Sequence, residues 1–183
     1  MRTAVDTVAN SNGAVVPLAI EILNEFPIDL TRSHIETRFP ESNESQKLAL
    51  AFALARYGKV DIDFLVNAID TASAAEVDNL AAALGHSQKD AINALRKVAE
   101  ACDADRNWNR KQRLAIVALQ MGDPSIASDM CQLRPDRLQR LDFILAWPAW
   151  HGDLGRLARF ADGWSDPALR SFSASVWLSF GTC

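Results

Sequence analysis

The stretch ILAWPAWHGDLGRL, Ile144 to Leu157, brings two tryptophans, a histidine and an aspartate within fourteen residues. A histidine oriented by a carboxylate is the start of a general base, and Trp147 and Trp150 would stack a planar substrate ring. That chemistry also needs a nucleophile or a second acid-base group, and none lies nearby in sequence. His151 and Asp153 stand two residues apart in a glycine-containing turn, where the two side chains need not face each other. A structural account covers more of the stretch: Pro148 ends one helix and the tryptophans fill an elbow. Gly152 then permits the reversal, and Asp153 caps the helix that opens at Leu154.

Other chemical candidates resolve in the same direction. Asp123-Pro124 and Asp166-Pro167 repeat one device, an aspartate that caps a helix followed by a proline in its first turn. One carboxylate per loop is too few for a metal. Arg134, Arg137 and Arg140 recur every third residue, and Arg156, Arg159 and Arg170 follow, so stacked helices would align them into a ridge able to hold phosphate or acidic peptide. Asp136, Asp142, Asp162 and Asp166 interleave with them, which favours a solvated salt-bridge face. The chain has no phosphate-binding glycine loop, nucleophile elbow, zinc-protease motif or His/Cys cluster. Cys102, Cys131 and Cys183 are odd in number and widely spaced, which fits reduced thiols in the cytoplasm. No catalytic, metal or cofactor residue is assigned.

The elements that would carry these residues are helices. Apolar residues recur at i, i+3, i+4 and i+7 in Ala19, Ile22, Leu23 and Phe26, in Ile62, Leu65, Val66 and Ile69, in Val77, Leu80, Ala81 and Leu84, and in Leu154, Leu157, Ala158 and Ala161. LALAFALA, residues 48–55, alternates like a strand, but its Leu and Ala are helix formers, so it reads as a buried helix. Asn43 with Gln46 and Ser73 with Glu76 have capping-box spacing, and glycines 58, 85, 122, 152, 163 and 181 mark ends. The spacing predicts helices over 43–57 and 61–71, 74–84 and 87–102, 108–121 and 124–133, 135–147 and 153–162, with 166–180 unpaired. Residues 1–42 are expected to form an irregular lead-in with one helix, and 43–183 a repeat domain whose last repeat is incomplete.

LAFALARYG, LAIVALQMG and SASVWLSFG end at Gly58, Gly122 and Gly181, intervals of 64 and 59 residues. With the ends near Gly85 and Gly152 these divide into steps of roughly 30 to 37, one helical hairpin each, the signature of a solenoid. In QKLALAFALARYGKVDIDFLVNAID, RLAIVALQMGDPSIASDMCQL, RPDRLQRLDFILAWPAWHGD and DPALRSFSASVWLSFG the chain resembles HEAT-type helical repeats. More narrowly, it is similar to the repeat segments that accompany kinase-like and formylglycine-generating-enzyme-like modules in some bacterial multidomain proteins. The resemblance implies an all-α, right-handed α-solenoid of HEAT-like hairpins acting as a scaffold.

Composition sets the outer bounds. With 49% hydrophobic and 23% charged residues the chain has globular proportions. No apolar run reaches the roughly 20 residues a bilayer span needs, and the N-terminal stretch meets Glu21 before a signal core forms. Net charge is −4, with 9 Lys+Arg against 14 Asp+Glu in residues 1–100 and 10 against 9 in 101–183. That balance argues against a nucleic-acid footprint. The expected function is therefore non-enzymatic protein-protein interaction, without cofactor or membrane. The expected surface is Arg134, Arg137, Arg140, Arg156 and Arg159 with Trp177 and Phe180, where the C-terminal end meets a protein partner or a second copy. Two rivals remain: a nucleic-acid-binding or base-processing HEAT-like protein, whose tryptophans and aspartate would serve a basic groove, and a regulatory arm of a larger enzyme.

Overall fold

The computed structural model describes Met1–Cys131 together with Phe143 and Pro167. Among these residues the chain is all-α, with no strand. The helices are α1 (Arg2–Ala9), α2 (Val16–Leu23), α3 (Ile28–Arg38), α4 (Glu44–Arg56), α5 (Ile62–Ala68), α6 (Ala74–Gly85), α7 (Gln88–Asp105), α8 (Trp108–Gln120) and α9 (Ser125–Cys131). Of the helices expected over 135–147 and 166–180 only Phe143, which is buried, and Pro167, which is exposed, are described. No helix among the described residues is long and apolar enough to cross a membrane.

The chain divides into two compact units, 1–91 and 92–183, instead of breaking at residue 43. Residues 1–42 are not an irregular lead-in with one helix. They hold α1, α2, α3 and a 3-10 turn at Phe39–Glu41. The reason is that α4 is buried along its whole length from Leu48 to Ala55 and so needs cover on every side. It packs against α1, α2, α3, α5 and α6, which makes it the central helix of the first unit. Val5 and Val8, Ala19 and Leu23, Ile35, Leu65, and Leu80 and Leu84 complete that core.

Local chemistry fixes the ends. Asn43 and Gln46 form the expected capping box, each side chain bonded to the other's backbone N–H at 3.0 and 3.2 Å. The Glu76 carboxylate likewise accepts from the Ser73 N–H at 2.6 Å. Gly58 and Gly122 adopt φ of +81° and +88°. In both, the following residue's N–H closes the helix, Lys59 to the Leu54 carbonyl and Asp123 to the Ala118 carbonyl, at 3.0 and 2.8 Å. Arg106 does the same for α7 at φ 52°, with the Asn107 N–H bonding the Cys102 carbonyl at 2.9 Å. Gly85 is different: it is the last residue of α6 and carries no left-handed turn.

Gly13 is required for another reason. A Cβ there would stand 2.6 Å from Glu76 Cγ and 3.2 Å from the Glu76 nitrogen, where the α1–α2 loop lies on the start of α6. Asn79 fixes that approach by donating to the Gly13 carbonyl at 2.6 Å.

In the second unit, α8 and α9 form the expected hairpin. α8 is buried on every side from Leu114 to Leu119, and Met121 beyond its end is buried as well. Cys102 on α7 and Cys131 on α9 are buried and form no disulfide.

Candidate functional site

A lysine lies on the buried stripe of α8. Lys111 precedes Leu114, Ala115 and Ala118 at i, i+3, i+4 and i+7, and it is only 2% exposed. A buried ammonium needs partners, and it has two carboxylates: Asp103 on α7 and Asp129 on α9, each 2.5 Å from Nζ. Trp108, one turn back, sets its ring centroid 6.0 Å from the same nitrogen, near the outer limit of a cation–π contact. Two turns back along α7 from Asp103, Arg96 donates through Nε and Nη2 to Asp123 Oδ2 at 3.1 and 2.9 Å, and through Nε to Ser125 Oγ at 2.9 Å.

Asp123 also carries out the capping role its sequence implies, accepting from the Ser125 N–H at 3.0 Å and its hydroxyl at 3.1 Å. Burial pushes the Asp123 carboxyl up. The bonds from Arg96 and Ser125 outweigh that and hold it below the ordinary carboxylate range. Between these two ionic clusters lies a cleft of about 260 Å³, lined by Arg96, Ala99, Glu100, Asp103, Lys111, Ser125, Ile126 and Asp129.

The cleft resembles an active site in composition but not in geometry. Lys111 is nearly buried and two of its N–H donors are committed to carboxylates, so the amine is not presented as a free nucleophile or a Schiff-base former. Among the described residues no three or more His, Cys, Asp or Glu side chains group as a metal site. What the arrangement does is tie α7, α8 and α9 together with charge. Lys111 was detectable in sequence as the one charge on an otherwise apolar stripe, a signal that helix periodicity read alone passes over.

A second feature is a surface. Val15, Leu18, Ile22, Ile28 and Leu30 are the large apolar residues exposed among the described ones, and all fall within residues 15–30. Leu18 is 69% exposed and Ile22 46%. The stripe expected over Ala19, Ile22, Leu23 and Phe26 is therefore out of phase: α2 buries Val16, Ala19, Ile20 and Leu23 and turns Ile22 outward, while Phe26 lies beyond its end. The helix is apolar nearly all round, so periodicity could not choose its inner face. Beside it, Val16, Pro17, Ile20, Phe52, Ala82 and Ala83 line a groove of about 260 Å³ among α2, α4 and α6, with Glu21, Arg56, Asn79 and His86 at its polar edges. Tyr57 ends α4 with its hydroxyl buried and unpartnered among the described residues. Burial raises its pKa, Arg56 opposes the rise and Glu21 adds to it.

Arg134, Arg137, Arg140, Arg156, Arg159, Trp177 and Phe180, the expected interaction surface, lie outside the described residues, as do Trp147, Trp150, His151 and Asp153. No family model matches the chain, and neither a curated protein nor a solved structure matches it.

Proposed function

We propose that the chain is a non-enzymatic, cytoplasmic protein-interaction module in which hairpins such as α4–α5 and α8–α9 belong to a right-handed, HEAT-like stack. The observation that carries this reading is the cluster of exposed apolar side chains at Val15, Leu18, Ile22, Ile28 and Leu30. Single exposed apolar residues are ordinary, but Val15, Leu18 and Ile22 share the outer side of one helix, a surface that water covers at a cost and a partner relieves. The ionic cleft supports the reading indirectly, since its lysine is occupied in holding helices together.

The test is a photo-crosslink. With benzoylphenylalanine in place of Leu18, ultraviolet irradiation in the cells that normally make the chain gives one discrete adduct with another protein. The same reporter at Glu100, exposed on α7, gives none. Absence of an adduct at position 18, or equal yields from both positions, overturns the proposal.

A further inference from the structure

We propose that the outer face of α2 seats a basic amphipathic helix of a partner protein, because exposed apolar side chains lie along it beside Glu21, with Glu25 in the turn that follows. The inference rests on the interaction-module reading and names the partner's chemistry. Val15, at the N-cap, Leu18 and Ile22 stand at i, i+3 and i+7 on the exposed side, Glu21 lies beside them at i+3 from Leu18, and Glu25 is exposed in the turn just past the helix end. Glu21 accepts from the neutral Asn24 amide at 2.8 Å, so its charge is not cancelled by that contact. No lysine or arginine occurs from Thr3 to Thr31. The nearest base in sequence, Arg32, is engaged with Asp29 at 3.3 Å.

The complement of this face is a helix with its own apolar row flanked by Lys or Arg, packing ridge into groove. The groove among α2, α4 and α6 supplies an anchor pocket for one bulky apolar side chain, as its floor of Ile20, Phe52, Ala82 and Ala83 is apolar. Arg56 and His86 stand on its α4 and α6 walls, so the partner's bases belong on the side of Glu21 and Glu25. A second copy fits poorly. A two-fold pairing of this face on itself would bring four glutamates together. An anionic lipid surface is repelled by the same residues. The unit as a whole agrees in sign: residues 1–91 carry 13 Asp+Glu against 7 Lys+Arg, whereas 92–183 carry 10 against 12.

The probe is a fluorescein-labelled Leu/Lys peptide of roughly 14 residues, long enough to span α2, with leucines at i, i+3, i+4 and i+7. The full chain is titrated into it, and a Leu/Glu peptide of the same pattern is the control. The Leu/Lys peptide binds and the Leu/Glu peptide does not. Leu18→Ser with Ile22→Ser weakens binding at least about tenfold. Glu21→Gln with Glu25→Gln weakens it about three- to tenfold at low salt, and the difference closes as salt is raised. Asp90→Asn, an exposed acid elsewhere, changes nothing. All substitutions lie on the surface, and unchanged far-ultraviolet circular dichroism shows that each variant is folded.

Equal binding by all variants overturns the proposal, as does binding of the Leu/Glu peptide. So does a dimer in sedimentation that Leu18→Ser with Ile22→Ser dissolves. An adduct at position 18 without peptide binding removes the basic helix and leaves the interaction module standing, whereas loss of the adduct removes both.

Discussion

Lys111 is held by residues from two other helices, and its removal separates their effects. Lys111→Met keeps most of the buried stem but removes the cation that Asp103 and Asp129, 36% and 32% exposed, share. Because both carboxylates keep part of their hydration, the loss is about 1 to 2 kcal/mol, read as a lower urea midpoint. Adding Asp103→Asn and Asp129→Asn to the same chain restores most of the loss, since the repulsion between the two carboxylates is gone. An unchanged midpoint for Lys111→Met would show that the triad is not a tie. Asp123 makes a prediction of opposite accessibility to solvent chemistry, through pH. Its folded carboxyl titrates below the unfolded one, so the unfolded chain takes up more protons as pH falls. The stability it contributes is fully present above an ordinary aspartate value of about 4 and is lost as pH falls through the lower folded value. Urea midpoints measured from about pH 6 to about pH 2.5 decline less steeply in Asp123→Asn than in the parent. Identical slopes would remove Asp123 from the acid response.

At the scale of the element, helix ends separate what a sequence states from what it leaves open. Gly58 and Gly122 are legible because only a residue without a Cβ enters a left-handed turn cheaply, and both occupy one. Gly122→Ala therefore destabilises by about 1 to 2 kcal/mol. Arg106 occupies the same kind of turn with a side chain, and nothing in the sequence announces it. Arg106→Gly removes that strain while loosening the unfolded chain, and raises stability by roughly 0.5 to 1 kcal/mol. Thermal melts of the two variants should shift in opposite directions, and a shift in the same direction would refute the common geometry. The helices from α4 to α9 were legible for a similar reason, since caps and apolar period agree there. In α2 they do not agree: with Val, Ile and Leu on both sides, the inner face is settled by contact with α1 and α4, which no local pattern encodes. For Lys111 the residue stood out in the sequence, but its partners did not. Its partners Asp103 and Asp129 sit 8 and 18 residues away on different helices.

For the whole molecule, the acidic excess visible along the chain follows the division into units: it belongs to residues 1–91, and the remainder is slightly basic. That asymmetry follows the observed unit boundary, whereas a boundary at residue 43 separates α4 from the helices α1, α2 and α3 that cover it. The candidate surface on α2 was likewise present in the sequence as apolar residues, and invisible as a surface until the inner face was fixed.

The cysteines give the second unit its own clock. Residues 1–91 contain none, while Cys102 and Cys131 are shut away on α7 and α9. A thiol reagent reaches them only in the moments when those helices part, so iodoacetamide, followed peptide by peptide in a mass spectrometer, times the opening of this unit and is blind to the first. Their alkylation should run on the order of a thousandfold slower than in urea-unfolded chain. In Lys111→Met, with the charged tie cut, both should react sooner and by a similar factor. If only one of the two accelerates, the helices open separately, and the charge that joins them does not make them a single moving part.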